Sequence, residues 1–406
     1  MNTPPNLTNV AERILTGAER LIAGAERIAA ARARQPEQQE QQQEQPQLQH
    51  RNEFRDALQA RTPRAIVTPA LIALNVTLYS VMLFRADGPL GDPKTLLEWG
   101  ASFGPRTTNG EWWRLVTAMF VHTGFIHLLV NMAGLAQAGL ILERLVGRPA
   151  FATTYFAAGI LAAVVNISDQ PLAVSSGASA AVFGVYGLLV ASFLAGLIRR
   201  SAASIPLTEL KRLGPAAGIF LLYSVVAGGQ SHLTGLSVGF ACGCVLAIGA
   251  GVCTAGPRRV ALVGAAVAVA AIVTALPLRG IADVRPEIAR IAALEDRVMT
   301  KYEAAIVRFN KGRIQPEALA KLIEKEILPD LAKARARVEA LRGVPPQQQS
   351  VVAGALEYFR LRQDSFRMRT DAIRKASLVK LRQAEGTEAA ARQALDKIRP
   401  LGEARL

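Results

Sequence analysis

Hydrophobic and polar positions along this chain fall into long blocks rather than alternating singly. Apolar runs built from Ala, Val, Leu and Gly occupy Ala65–Phe84, His127–Arg144, Pro149–Asn166, Ser179–Ile198, Pro215–Ala227, His232–Cys253 and Val260–Leu276. Several approach the roughly 20 residues that an α-helix needs to cross the hydrocarbon core. The pattern predicts seven spanning helices. From residue 279 onward charge returns, and Ile288, Ile291, Val298, Tyr302, Ala305 and Phe309 keep a three-four spacing. Pro316, Pro329 and the pair Pro345–Pro346 punctuate the helices that follow. A helical hairpin or small bundle is predicted there. Before the first block, GAERLIA and GAERIAA begin at Gly17 and Gly24 and place Leu21 and Ile28 on one face. That spacing predicts an amphipathic helix within Asn9–Arg34, lying on the membrane, pairing with a partner helix or forming a surface helix. Residues 35–49 are nearly all Gln, Glu and Pro and read as a linker.

The expected class is therefore an all-α polytopic membrane protein. Its predicted parts are an N-terminal region (1–64), a six-helix core (65–253), a seventh transmembrane helix (254–278) and a C-terminal helical domain (279–406).

Charge orients these spans. The 406 residues carry a formal net charge of +15. On a membrane chain such an excess sets topology and meets anionic lipid. No nucleic-acid motif accompanies it, so no nucleic-acid partner is expected. Arg51, Arg55, Arg61 and Arg64 precede the first span, and Arg144 and Arg148 join the second to the third. Arg199, Arg200, Lys211 and Arg212 follow the fourth, and Arg258 and Arg259 follow the sixth, whereas loops 167–178 and 228–231 hold no Lys or Arg. The positive-inside rule puts the N-terminus in the cytoplasm and, after seven spans, the C-terminus on the opposite side. The polar N-terminus shows no cleavable signal peptide, which leaves insertion to the first span. The long outward loop Arg85–Ile126 holds all three tryptophans, Trp99, Trp112 and Trp113, and reads as lying partly among headgroups. Cys242, Cys244 and Cys253 share one apolar run and read as small buried side chains rather than a bridge or metal site.

Polar groups inside such blocks are expensive and mark candidate sites. Ser179 opens the fourth span, and His232 opens the sixth. Both fall at the outer end, so topology alone brings a hydroxyl nucleophile and an imidazole base to one depth. On the sixth span His232, Gly235, Gly239 and Gly243 share a face, and small residues let membrane helices approach closely. Phe183 and Gly187 follow Ser179 on its own face. His127 and Asn131, one turn apart at the outer end of the second span, offer N–H donors for an oxyanion, together with the Ser179 backbone N–H. His122, His127 and His232 form the competing metal reading, but no carboxylate or ligand spacing supports it.

These motifs, in this order, resemble the rhomboid intramembrane serine proteases over roughly Ala65–Cys253. The resemblance rests on WR at Trp113–Arg114, HxxxN at His127–Asn131, GxSx at Gly177–Ala180 and HxxGxxxG at His232–Gly239. It implies Ser179 as nucleophile, His232 as general base, and His127 and Asn131 around the oxyanion. It gives supporting places to Gly177, Gly235 and Gly239, and has Trp113 and Arg114 shape the interface loop. Glu143–Arg144 looks like the family's structural ER pair. Ala180 stands where the family pattern has Gly, which implies reduced or altered activity at worst. The implied activity is hydrolysis of peptide bonds in or near transmembrane segments through an acyl-enzyme, with no cofactor or metal. The implied partners are transmembrane protein substrates and the lipid bilayer, with a partner protein as one use of the C-terminal domain. The composition fits a bacterial inner membrane. The competing class is a non-catalytic relative that binds transmembrane clients.

Overall fold

The structure is a computed structural model that describes residues 52–199, 232–246 and 256–403, with isolated positions at 16, 23, 24, 27, 49, 205, 211, 214, 217, 218 and 222. Apart from those isolated positions, the predicted amphipathic helix, the linker and the fifth span lie outside the described residues, as do Arg51, Arg200, Arg212, loop 228–231 and Cys253.

Among the described residues, six apolar helices build the membrane part: α1 (Val67–Arg85), α2 (Phe125–Val146), α3 (Arg148–Asp169), α4 (Ser179–Arg199), α5 (His232–Leu246) and α6 (Pro257–Ala275). Five of them are long and apolar enough to cross a membrane, and α5 is described over the shorter stretch His232–Leu246. The protein is thus an all-α, multi-pass membrane protein. Each helix starts within three residues of the expected span, and α4 starts at Ser179 itself. The packing is unequal. Over its apolar window α4 is 61% buried against 11% for α6, so α4 is the axis and α6 an outer layer laid on α3.

Glu143 fastens α1 to α2. Its buried carboxylate accepts the backbone N–H groups of Ile66, Val67 and Thr68 at 2.6, 2.8 and 2.7 Å. Those amides open α1 and have no partner within it, and the negative charge suits the positive end of the helix. Arg144 beside it donates to Thr62 O at 3.2 Å. A short helix over residues 52–61 adds Phe54 and Leu58 to the same core, a burial that the polar tail around them conceals in the sequence.

The loop between α1 and α2 is ordered by polar contacts. It carries short helices at Pro93–Glu98, Gly104–Thr107 and Arg114–Thr117. Arg114, only 4% exposed, donates to Leu97 O and Ala101 O at 2.7 and 2.9 Å and pairs with Glu111. Trp113 is half exposed beside that guanidinium.

Beyond α6 the chain forms a bundle with its own apolar core: α7 (Arg285–Asn310), a second rod from Pro316 through α8 (Leu328–Glu339), α9 (Pro346–Lys375) and α10 (Leu378–Glu403). Pro316 and Pro346 open helices, as expected. Pro329 does not interrupt its rod. A π-helical turn at Ile323–Ile327 precedes it, and widening the ladder there absorbs an amide-less residue.

Candidate active site

The segment leading to Ser179 is shaped from outside α4. Ser175 pairs with Ser102 of the loop through two backbone hydrogen bonds of 2.8 and 2.9 Å, and Gly177 N–H donates to Ala118 O at 2.8 Å. Gly177 has φ of 113°, a region that favours glycine. A Cβ there would also fall 2.6 Å from His127 Cε1 and 2.7 Å from Nε2. Backbone conformation and the facing imidazole therefore both exclude a side chain. Two residues later Ser179 heads α4, where first-turn amides lack intrahelical partners.

His232, 9% exposed, heads α5, and its Nε2 lies 2.7 Å from Ser179 Oγ. The ring stacks on Phe183, one turn below Ser179, with centroids 4.9 Å apart and planes 18° off parallel. Close helix crossing permits this reach. A Cβ at Gly235 would collide with Ala180 O, one at Gly239 with Gly184 O, and one at Gly187 with Leu236 O. Backbone thus lies on backbone between α4 and α5, and Ala180 sits within that contact.

His127 and Asn131 come to the same end of the membrane helices. His127 Nδ1 is 3.0 Å from Thr123 Oγ1, and its Nε2 side faces Gly177. Asn131 is fully buried and donates one amide N–H to His127 O at 2.8 Å. Of the sequence candidates, Ser179, His232, Gly177, His127 and Asn131 thus gather at one end. Gly235 and Gly239 support the crossing below, and Trp113 and Arg114 belong to the loop.

Sequence reasoning passed over two features. His122, set aside with the metal reading, is completely buried, with its ring 5.1 Å from that of His127. Burial, then the neighbouring His127, pushes its pKa down to about 3, so it is neutral. Among the described residues its Nε2 has no hydrogen-bond partner. The second feature is a cavity of about 40 Å³ against Ser179, lined among others by Ser102, Met119, Asn166, Ser175 and Ser176. A space of that size and polarity admits a water molecule. Nothing in the spacing of Met119 or Asn166 marks them, since the cavity forms only when α3 meets the loop. Among the described residues no group of three or more His, Cys, Asp or Glu is placed to hold a metal ion.

Residues 109–249 match the family model of the rhomboid domain. The chain is similar to Rhomboid protease GluP of Bacillus subtilis, 35% identical over 123 residues that cover 30% of this chain and 24% of that protein. It is similar to Rhomboid-like protease 3 of Toxoplasma gondii, 33% identical over 128 residues covering 32% of this chain and 48% of the relative. Putative rhomboid protease YdcA of Bacillus subtilis is 41% identical over 81 residues, which cover 20% of this chain and 41% of the relative. The chain thus spans between about a quarter and a half of the length of these relatives, and the bundle beyond α6 lies outside the matched family domain. The chain is thus a multi-pass membrane protein that carries a rhomboid domain over residues 109–249.

Proposed function

We propose that this chain is an intramembrane serine protease that hydrolyses peptide bonds in or near transmembrane segments of other proteins. The observation that carries the reading is the 2.7 Å contact between Ser179 Oγ and His232 Nε2. A base within hydrogen-bond reach of the proton it abstracts is the first requirement of nucleophilic catalysis. Ser179 Oγ attacks the scissile carbonyl as His232 takes its proton. The oxyanion is held by the Ser179 backbone N–H with the His127 and Asn131 side chains. His232 then returns the proton to the leaving amine, leaving an acyl-enzyme on Ser179. Water attacks the ester as His232 takes its proton, and His232 passes that proton to Ser179 Oγ as the acyl bond breaks, which releases the carboxylic acid product and restores the serine. The cavity beside Ser179 suits that water in size and polarity. No metal or cofactor enters these steps.

Substrates are membrane proteins whose helices unwind locally, because a regular helix hides its carbonyls. In this reading residues 1–64 are a cytoplasmic N-terminal region, 65–253 the protease core, 254–278 an added membrane helix and 279–406 an extracytoplasmic domain. The protein then sits in a bacterial inner membrane with its dyad toward the outer face, and the last domain is open to a partner protein. Cleavage of a labelled single-pass substrate with a destabilised helix, in liposomes, tests the activity. Loss in both Ser179→Ala and His232→Ala, with folding unchanged, supports the dyad. Persistence in Ser179→Ala removes the assignment, and an inert intact protein on several substrates shifts weight to client binding.

A further inference from the structure

On leaving α6 the chain lays itself within ten residues against the same loop that backs the nucleophile segment. Ile281 is buried with Leu115, Val164 and Ile167, and its carbonyl accepts Asn109 Nδ2 at 2.9 Å. Arg285, held by Asp283 through hydrogen bonds of 2.9 and 3.0 Å, places its guanidinium 5.7 Å from the centre of the Phe103 ring. The bundle grips this segment from its other side. Val284 N–H donates to Gln348 Oε1 at 2.9 Å and Ala282 N–H to Gly343 O at 3.0 Å.

Phe103 leads directly into the nucleophile segment. It is 3% exposed, its N–H is held by Thr107 Oγ1 at 3.1 Å, and its neighbour Ser102 forms the two-bond pairing with Ser175. Gly104 lies so close against Pro171 O that a Cβ there would collide with it. Ser102 and Leu115 also line the cavity at Ser179. Two backbone hydrogen bonds hold little by themselves, and short pairings of this kind open locally unless packed from outside. Here part of the outside packing comes from the segment Ile281–Arg285, which the C-terminal bundle holds.

We propose that Asn109, Ile281 and Arg285 are positioning residues for Ser179: the bundle fixes the 102–109 loop, and that loop fixes the nucleophile segment. The inference rests on the protease reading. Adjacency alone does not establish coupling, so the test measures it. In liposomes, the full-length protein is assayed for its rate of Ser179 modification by a small fluorophosphonate, which needs no transmembrane docking. In parallel, kcat and KM are measured on a labelled single-pass substrate. Arg285→Ala and Asn109→Ala should each lower the modification rate and kcat by about three- to tenfold with KM within about twofold. Arg285→Lys, which keeps a cation over Phe103, should recover most of the loss. Arg290→Ala, on the same helix but bound to Glu287, should match the intact protein. If the Arg285 change lowers the melting temperature of the bundle, Phe103→Leu removes the contact from the loop side instead and must reproduce the fall. Intact-level rates in Asn109→Ala and Phe103→Leu overturn the proposal while the protease reading stands. An intact protein unreactive at Ser179 fails the protease reading itself, and this proposal with it.

Discussion

The two halves of this molecule are held together by opposite means. Between α4 and α5 the contacts are backbone to backbone, with Gly235, Gly239 and Gly187 leaving no room for a Cβ. The C-terminal bundle instead packs Tyr358, Phe359, Phe366 and Ile327 around a buried ionic network. There Arg362, 1% exposed, donates to both oxygens of Glu295 at 2.6 and 3.0 Å and lies 3.3 Å from Glu388. Tyr358 OH completes Glu295 at 2.7 Å, and Arg369 joins Glu388 to Tyr302. The solvent explains the contrast. Lipid tails are as apolar as a leucine, so helices in a membrane gain little by burying one and gain by close approach. In water the burial of large apolar side chains drives assembly, and a buried charge is tolerated when every partner is present. The membrane half gathers Ser179, His232, His127 and Asn131 at one end, where chemistry is proposed, with Glu143 tying α1 to α2 at the other, and the bundle uses its polar groups for internal bonding.

The contrast is broken most severely at the helix crossing. Gly239→Val must push α5 away from Gly184 and carry His232 off Ser179. Cleavage should fall by about a hundredfold or more, since a misplacement near 1 Å already has that effect. A Gly239→Val protein cleaving at the intact rate would show that the crossing does not set the dyad.

Next in size is Arg362→Ala. It strands Glu295 in the bundle, and removing one partner of a buried pair is destabilising by about 3–5 kcal/mol. Hydrogen exchange over 285–403 should accelerate while exchange in α2–α4 changes much less. Equal acceleration in both halves would contradict separate cores.

Acid should also tell the halves apart. His122 is held neutral down to about pH 3, below its ordinary 6.5. The unfolded state therefore binds the proton first. Stability of the membrane half should decline as pH falls below about 6.5, by up to roughly 1.4 kcal/mol per pH unit. In Glu388, burial pushes the pKa up, but Arg362 and Arg369 outweigh it and hold the carboxyl below its ordinary value. Its contribution is complete above that ordinary value and is lost as pH falls through the lower, folded one. Segment-resolved exchange between pH 7 and 3 should show the α2 region loosening before the bundle, and His122→Gln should flatten the first phase. The reverse order would refute both assignments.

Smaller still, Glu143→Gln weakens three charge-assisted bonds to the start of α1 and should lower stability by about 1–2 kcal/mol without altering cleavage chemistry. Ala180→Gly should matter least, shifting cleavage by less than about threefold, because Gly235 meets the Ala180 backbone, which the substitution leaves in place.

Legibility in the sequence followed the same division. The apolar blocks gave the start of α4 and the side that presents Ser179 with His232, because topology and small-residue spacing are local signals. Glu143 stood out only through the family resemblance, since its three partners lie 75 to 77 residues away. The resemblance has Arg114 shape the interface loop, but no local spacing shows that it is buried there and donates to carbonyls 13 and 17 residues earlier in the chain. Arg362 is hidden for a related reason. A lone arginine in a charged helix reads as a solvated face until the partners on other helices are known. Pro329 misled in the opposite direction, because a π-turn cannot be read from a proline alone.

The most direct measurement of the central claim is the location of a covalent adduct. The intact protein in liposomes is treated with a fluorophosphonate, digested and mapped by mass spectrometry, with His232→Ala in parallel. The account predicts one modified serine, Ser179, and loss of the adduct when His232 is removed. Modification of another serine, or an unchanged Ser179 adduct in His232→Ala, would contradict it.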